Sequence, residues 1–128
     1  MTPSVPVSWG ELIDKVTILE IKSERLASET ALANVRRELA QLSQLAKEAE
    51  SLHPKIASHK AELKRVNQTL WQIEDDIREK EAQQSFDADF IALARAVYHQ
   101  NDRRGRLKQE INALAKSDIT EEKQYSRY

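Results

Sequence analysis

The stretch LANVRRELAQLSQLAKEAESLHPKIASHKAELKRVNQTLWQIEDDIREKEAQQ, Leu32 to Gln84, decides the fold. Its apolar positions begin Leu32, Val35, Leu39, Leu42, Ala46 and Ala49, stepping by threes and fours. After His53-Pro54 come Ile56, His59, Leu63, Val66, Leu70, Ile73 and Ile77 at the same steps. Such steps place side chains on one face of an α-helix, and over several turns they form the seam of a coiled coil or helical hairpin. Proline pushes the residue before it out of the helical region, yet it is harmless in a first helical turn. One helix therefore ends at His53, and the next runs from about Lys55 to Gln84. At ~1.5 Å per residue it is on the order of 45 Å long. So short a connection makes the two helices antiparallel neighbours.

Upstream, Ser8-Trp9-Gly10-Glu11 reads as a capping box, with Val7 and Leu12 available as a hydrophobic staple. The helix it opens has its main stripe on Trp9, Leu12, Ile13, Val16, Leu19, Ser23 and Leu26. Ile18 and Ile21 point elsewhere, so this helix buries more than one side. No glycine or proline separates Leu26 from Leu32. The expectation is a continuous or gently bent helix from Trp9 to about Leu52, with a break at Ser28-Glu29-Thr30 as the alternative. Downstream, Ser85-Phe86-Asp87 is a turn, with Asp87 as N-cap and Phe86 stapled to Ile91. A last helix runs from Ala88 to about Lys116, and a polar tail follows, residues 117–128, with Ile119, Tyr125 and Tyr128 as candidate anchors, either ordered against the bundle or frayed. The fold class is all-α: long antiparallel helices in a three- to four-helix bundle with a coiled-coil-like hairpin, one domain over residues 1–128.

Composition agrees and narrows the function. Of 128 residues 32% are charged and 5% aromatic, with two glycines and three prolines, too few turn formers and β-formers for a sheet. Twenty basic and 21 acidic residues leave a formal charge of −1, without the basic excess of a nucleic-acid or membrane-surface protein. The absence of cysteine excludes disulfides and thiolate zinc sites. Met1 to Val7 holds no apolar run for a signal peptide, and no stretch approaches the roughly 20 apolar residues of a membrane span. The expected address is the cytoplasm.

Polar residues fall where a plain bundle would carry leucine. Asn67, Glu74 and Arg78 lie on or beside the stripe of Leu63, Leu70 and Ile77. The last helix begins with Phe90, Ala94, Val97 and Tyr98, and the same line continues as Asn101, Gly105, Lys108 and Asn112. Glu20 lies between Ile13 and Val16 in projection. Antiparallel pairing from the turn at Phe86 brings Glu74 level with Val97 to Asn101. The predicted polar layer thus comprises Glu20, Asn67, Trp71, Glu74, Arg78, Tyr98, Asn101 and Lys108. One reading makes it a register device, as polar residues are in coiled coils. Another makes it a ligand or catalytic site, with Glu74 or Glu20 as acid or base and Arg78 or Lys108 holding an anion.

Arg95, Arg103, Arg104 and Arg106 form the strongest basic cluster, a candidate anion or weak nucleic-acid site, or else a solvated face opposed by Asp102 and Glu110. Asp75-Asp76 with Glu79 and Glu81 is similar to half of the acidic set of all-helical nucleotide pyrophosphohydrolases. The paired glutamates those enzymes carry on an earlier helix are missing in recognisable form, and Glu121-Glu122 on the tail is no substitute. His53, His59 and His99 lack metal-ligand spacing. No catalytic residue, metal or cofactor is assigned.

Four motifs, Ser8–Lys15 (SWGELIDK), Leu70–Asp75 (LWQIED), Asn101-Asp102-Arg103 and Glu121–Tyr125 (EEKQY), together resemble a family of small proteobacterial proteins of unknown function. The resemblance covers nearly the whole chain. It implies a bacterial cytoplasmic setting and, because members sometimes occur near or joined to glycosyltransferase-like or tetratricopeptide-repeat proteins, a link to surface-polysaccharide assembly. It supplies no activity and no catalytic residues. The expected function is a non-enzymatic helical interaction or scaffold module that self-associates or docks on another protein. A helix continuous to Leu52 would leave its first turns overhanging, and a homodimer would cover them.

Overall fold

Ser8 turns the chain into its first helix, with an extended backbone and a hydroxyl that accepts from the Glu11 amide. The computed structural model describes residues 1–128 as four helices and no strand: α1 (Trp9–Arg25), α2 (Glu29–Leu52), α3 (Ile56–Ala82) and α4 (Ala88–Ala115). The all-α expectation holds. Only half of the capping box forms, because the Glu11 carboxylate turns away from Ser8 to meet Lys108.

The expected continuous helix from Trp9 to Leu52 does not form. Leu26 and Ser28 both adopt extended backbone, and the Ser28 hydroxyl accepts from the Ala31 amide to cap a new helix. The reversal is driven by burial. An unbroken helix would hold the α2 seam on a rod roughly 65 Å long. Folded back, it buries Leu32, Val35, Ala46 and Ala49 and half-buries Leu39 and Leu42. Ile21 is buried within the single chain, and Ile18 is half-buried, so α1 does bury more than one side.

Helices α3 and α4 lie antiparallel, tied by His59 to Glu110 at 2.9 Å, by Glu62 to Arg103, and by Lys80 to Asp87 at 2.9 Å. The turn between them places Gln84 at a left-handed φ of 56° and uses Asp87 as N-cap for the Phe90 amide. Phe86 packs edge-on against Phe90, ring centroids 5.2 Å apart, instead of stapling to Ile91, which stays exposed. Helix α1 lies across this pair. Its first turn rests on Lys108 and Asn112, Asp14 reaches Arg104 and Asn67, and Glu20 and Glu24 meet Lys60 and Lys64.

All four helices contribute to one core of Leu12, Ile13, Val16, Ala46, Ala49, Leu63, Val66, Leu107 and Ile111. The core sits entirely at one end of the α3–α4 hairpin. Between Ile73 and Leu107 no residue is buried, so the far end of the hairpin projects as a two-helix tip.

Candidate functional site

Gly10, Asp14, Thr17 and Ile21 fall at steps of four, three and four, a second stripe on α1 beside its leucine-rich one. That stripe faces α3 and α4. Asp14, only 1% exposed, is its centre. Its Oδ1 accepts from Arg104 Nε and from Asn67 Nδ2, both at 2.9 Å, and its Oδ2 accepts from Arg104 Nη2. Asn67 Nδ2 donates also to Thr17 Oγ1 at 2.9 Å, and that hydroxyl donates to the Asp14 carbonyl at 2.7 Å. The bidentate Asp14 contact holds the Arg104 guanidinium even further towards its charged form, against a smaller opposing effect of burial.

Lys108 is the adjoining charge, 5% exposed, with Nζ 2.7 Å from Glu11 Oε2 and 2.6 Å from Glu121 Oε2. Burial is the largest single influence and disfavours the ammonium, yet the two carboxylates together outweigh it and the pKa rises above the usual lysine value. Lys108 in turn holds the Glu121 carboxyl below its ordinary 4.5. Through Glu121 the lysine straps the C-terminal tail to α4. The tail runs back along that helix: Ser117 N–H donates to the Asn112 carbonyl, Lys123 lies over Gly105, and the Tyr128 hydroxyl donates to Asp102.

The start of α1 is closed by the end of α4. Gly10 N–H donates to Asn112 Oδ1 at 2.7 Å and Trp9 N–H to Ser117 Oγ at 3.1 Å, while Ser8 takes the Glu11 and Leu12 amides. The Trp9, Gly10 and Glu11 amides, which have no partner within their own helix, are thereby satisfied, and none of the three is free to hold an anion. The approach depends on Gly10, since a Cβ there would lie 2.4 Å from the Lys108 carbonyl oxygen. Asn112 Nδ2 is buried without a partner.

This pairing limits what the cluster can do chemically. Asp14 is out of reach of a substrate and its oxygens are occupied, so it supplies neither a nucleophile nor a base. It holds three helices in register instead. Acidification tests the lysine strap. A carboxyl whose pKa is lowered on folding contributes above its unfolded value, and that contribution is lost as pH falls through the folded one. The backbone order of residues 118–128, read by NMR relaxation, should therefore persist at pH 6 and fade below about pH 4.5. Glu121→Gln should show the same loss at neutral pH. Backbone order unchanged by both would mean that Glu121 does not hold the tail.

The structure redistributes the predicted polar layer. Asn67 and Lys108 are buried, but Asn67 serves Asp14 and Lys108 serves Glu11 and Glu121. Glu20 is half-buried at 3.7 Å from Lys60 and 3.9 Å from Lys64. Glu74 and Arg78 pair only with each other, at 3.0 Å on the surface. Trp71 is half-buried beside them, Asn101 is half-buried, and Tyr98 is exposed in contact with His99 and Tyr128. The shared layer does not assemble, because the His59–Glu110 and Lys80–Asp87 pairs set Glu74 level with about Leu93, beyond the reach of α1. The basic cluster likewise disperses. Arg103 pairs with Glu62 and Arg104 with Asp14, while Arg95 and Arg106 are exposed and make no ion pair.

Sequence reading missed Asp14, Arg104 as its partner, and the Glu11–Lys108–Glu121 bridge. The available signal was the second α1 stripe, since a helix burying two sides needs a partner for any carboxylate on either. No group of three or more histidine, aspartate or glutamate side chains is placed to hold a metal ion, and no helix is long and apolar enough to cross a membrane.

These features define an all-helical protein whose interior charges are spent on joining helices. Residues 3–128 match DUF6165, a family of unknown function, and the chain belongs to that family. Neither the curated proteins nor the solved structures contain a match to it.

Proposed function

We propose that this chain is a non-enzymatic helical interaction module that self-associates through the projecting α3–α4 tip. One observation carries the reading: no residue between Ile73 and Leu107 is buried, although that stretch holds Ile77, Phe86, Phe90, Ile91, Leu93 and Val97. Two helices alone bury only the seam between them, and their remaining apolar side chains gain from a further layer. On α4 the line Phe90, Ala94, Val97 and Asn101 continues at helical steps into Arg104, Lys108 and Asn112, which meet α1. That line is buried where it meets α1 and only half-buried towards the tip.

A second copy is the occupant that the charges favour. In the tip, α3 residues 74–82 carry five carboxylates against Arg78 and Lys80, and most of the five make no ion pair. The α4 edge presents Arg95, exposed and unpaired. A twofold contact lays the α4 edge of each copy against the α3 edge of the other, so the patch complements itself. The tip is about 13 Å long by helix geometry. Such a contact falls short of the ~800 Å² per partner of a standard interface, and the dimer is weak. The setting belonging to this reading is a bacterial cytoplasm, beside surface-polysaccharide assembly.

Sedimentation equilibrium tests it. The mass should rise towards the dimer between about 10 µM and 1 mM, fall back in high salt, and remain monomeric for Ile91→Glu. Ile91 is 56% exposed, so that change leaves the fold intact. A parent chain that stays monomeric at about 1 mM, or an Ile91→Glu chain that still dimerises, would overturn the proposal.

A further inference from the structure

The C-terminal tail and α4 enclose a second feature that the arrangement of helices does not need. Between them lies a cleft of about 1070 Å³, at the large end of the roughly 300–1,000 Å³ of small-molecule sites. Its walls combine two chemistries. Tyr98, Tyr125 and Tyr128 supply aromatic faces, and Arg106, Lys123 and Arg127 supply cations. The one carboxylate in the lining, Asp102, already accepts from the Tyr128 hydroxyl. Arg106 and Arg127 make no ion pair, and Lys123 has only Glu121, at 3.7 Å. A chain with a formal charge of −1 thus gathers a net-positive cleft, three cations against the one carboxylate of Asp102.

Both the aromatic and the cationic lining select among ligands. A guanidinium left unpaired at a concave surface pairs best with a phosphate, which it meets with two parallel hydrogen bonds. Inorganic phosphate alone would fill a small part of this volume and leave the aromatic wall unused. Tyr125, 77% exposed, offers an unoccupied ring face, whereas Tyr128 is already committed at 5.0 Å from Tyr98 and 4.7 Å from His99. Asn101 and Gln109 add amide donors and acceptors to the lining. Flat rings stack on such faces, and an arginine beside them adds a cation–π contribution.

We infer that the cleft between α4 and the C-terminal tail is a binding site for a nucleoside diphosphate or its esters, with Arg106 and Arg127 on the phosphates and Tyr125 stacked on the base. The site is independent of the self-association proposed above, whose test residue Ile91 lies outside the lining. Glu121 makes the site conditional, because the ion pair with Lys108 lays the tail along α4 and so forms one wall.

Isothermal titration of the full chain with ADP and with UDP tests the inference, alongside inorganic phosphate and adenosine. The expected result is binding of at least one diphosphate below about 1 mM, with phosphate and adenosine each at least about ten-fold weaker. The double change Arg106→Gln, Arg127→Gln should weaken that binding about ten-fold or more, and raised salt should weaken it too. Both arginines are exposed, so the melting temperature should stay at the parent value. Tyr125→Ala should weaken the diphosphate and leave inorganic phosphate unchanged. Binding of neither diphosphate at about 1 mM, or binding indifferent to the double change, would overturn the site.

Discussion

Asp14→Ala is expected to destabilise the fold by about 3–5 kcal/mol, the range for breaking one side of a buried ion pair. For a domain whose whole stability is about 5–15 kcal/mol, that is about a fifth or more of the total. The magnitude follows from what the carboxylate satisfies. It accepts three hydrogen bonds while 1% exposed, so its removal strands the half-buried Arg104 guanidinium and one Asn67 donor together. The two partners come from α4 and α3, so the loss falls on the contacts of α1 with both. Denaturant unfolding of the single changes and of the pair Asp14→Leu, Arg104→Met reads the effect. The pair should cost clearly less than the sum of its parts, because two apolar side chains leave no unpaired charge. If Asp14→Ala stays within about 1 kcal/mol of the parent, the cluster does not join the helices as described.

Gly10→Ala is the second large effect, and its sign reverses the usual one. Alanine in place of glycine within a helix normally adds up to about 1 kcal/mol of stability. At Gly10 the new Cβ would lie 2.4 Å from the Lys108 carbonyl oxygen and 2.9 Å from Asn112 Oδ1. A backbone oxygen within α4 cannot swing aside, so the two helices must separate. The cost is expected at about 1–3 kcal/mol, as for other overpacked contacts. Separation would also lengthen the Gly10–Asn112, Trp9–Ser117 and Glu11–Lys108 contacts, all within one turn of the approach. Gly105→Ala is the internal control. Its Cβ would meet only the flexible Lys123 side chain, at 3.8 Å, so the ordinary helical gain should appear there. Equal melting-temperature changes at the two glycines would contradict the close approach of α1 to α4.

Neither effect was legible in residue order, although much of the fold was. The stripes from Leu32 to Ala49 and from Ile56 to Ile77 specify two helices, and Ser8 and Asp87 mark helix starts by their own hydroxyl and carboxylate. Pro54 marks a helix end because the constraint lies in the adjoining peptide. These signals are local, acting within one turn of the residues that carry them. The break at Leu26–Ser28 was less legible, since serine caps a helix only where the chain already has reason to turn. That reason is the burial of Leu32, Val35, Ala46 and Ala49, which lie on the next helix.

The polar layer divides the same way. Periodicity places Glu74, Asn101 and Lys108 at angles around their helix axes, but it does not say how far along the axis a neighbour reaches. Helix α1 crosses at Asn67 and Arg104, so Lys108 is buried while Glu74 meets water. Asp14 is the clearest case. Its charge is tolerated in the interior only because Asn67, 53 residues away, and Arg104, 90 residues away, arrive at the same point. The sequence by itself determined which faces are apolar and, apart from the break at Leu26–Ser28, which segments are helical, because those depend on neighbours within one turn. Only the tertiary structure decided which charges are buried, which apolar residues stay bare and where the tail lies. Those depend on desolvation and pairing between helices that meet only when the chain has folded.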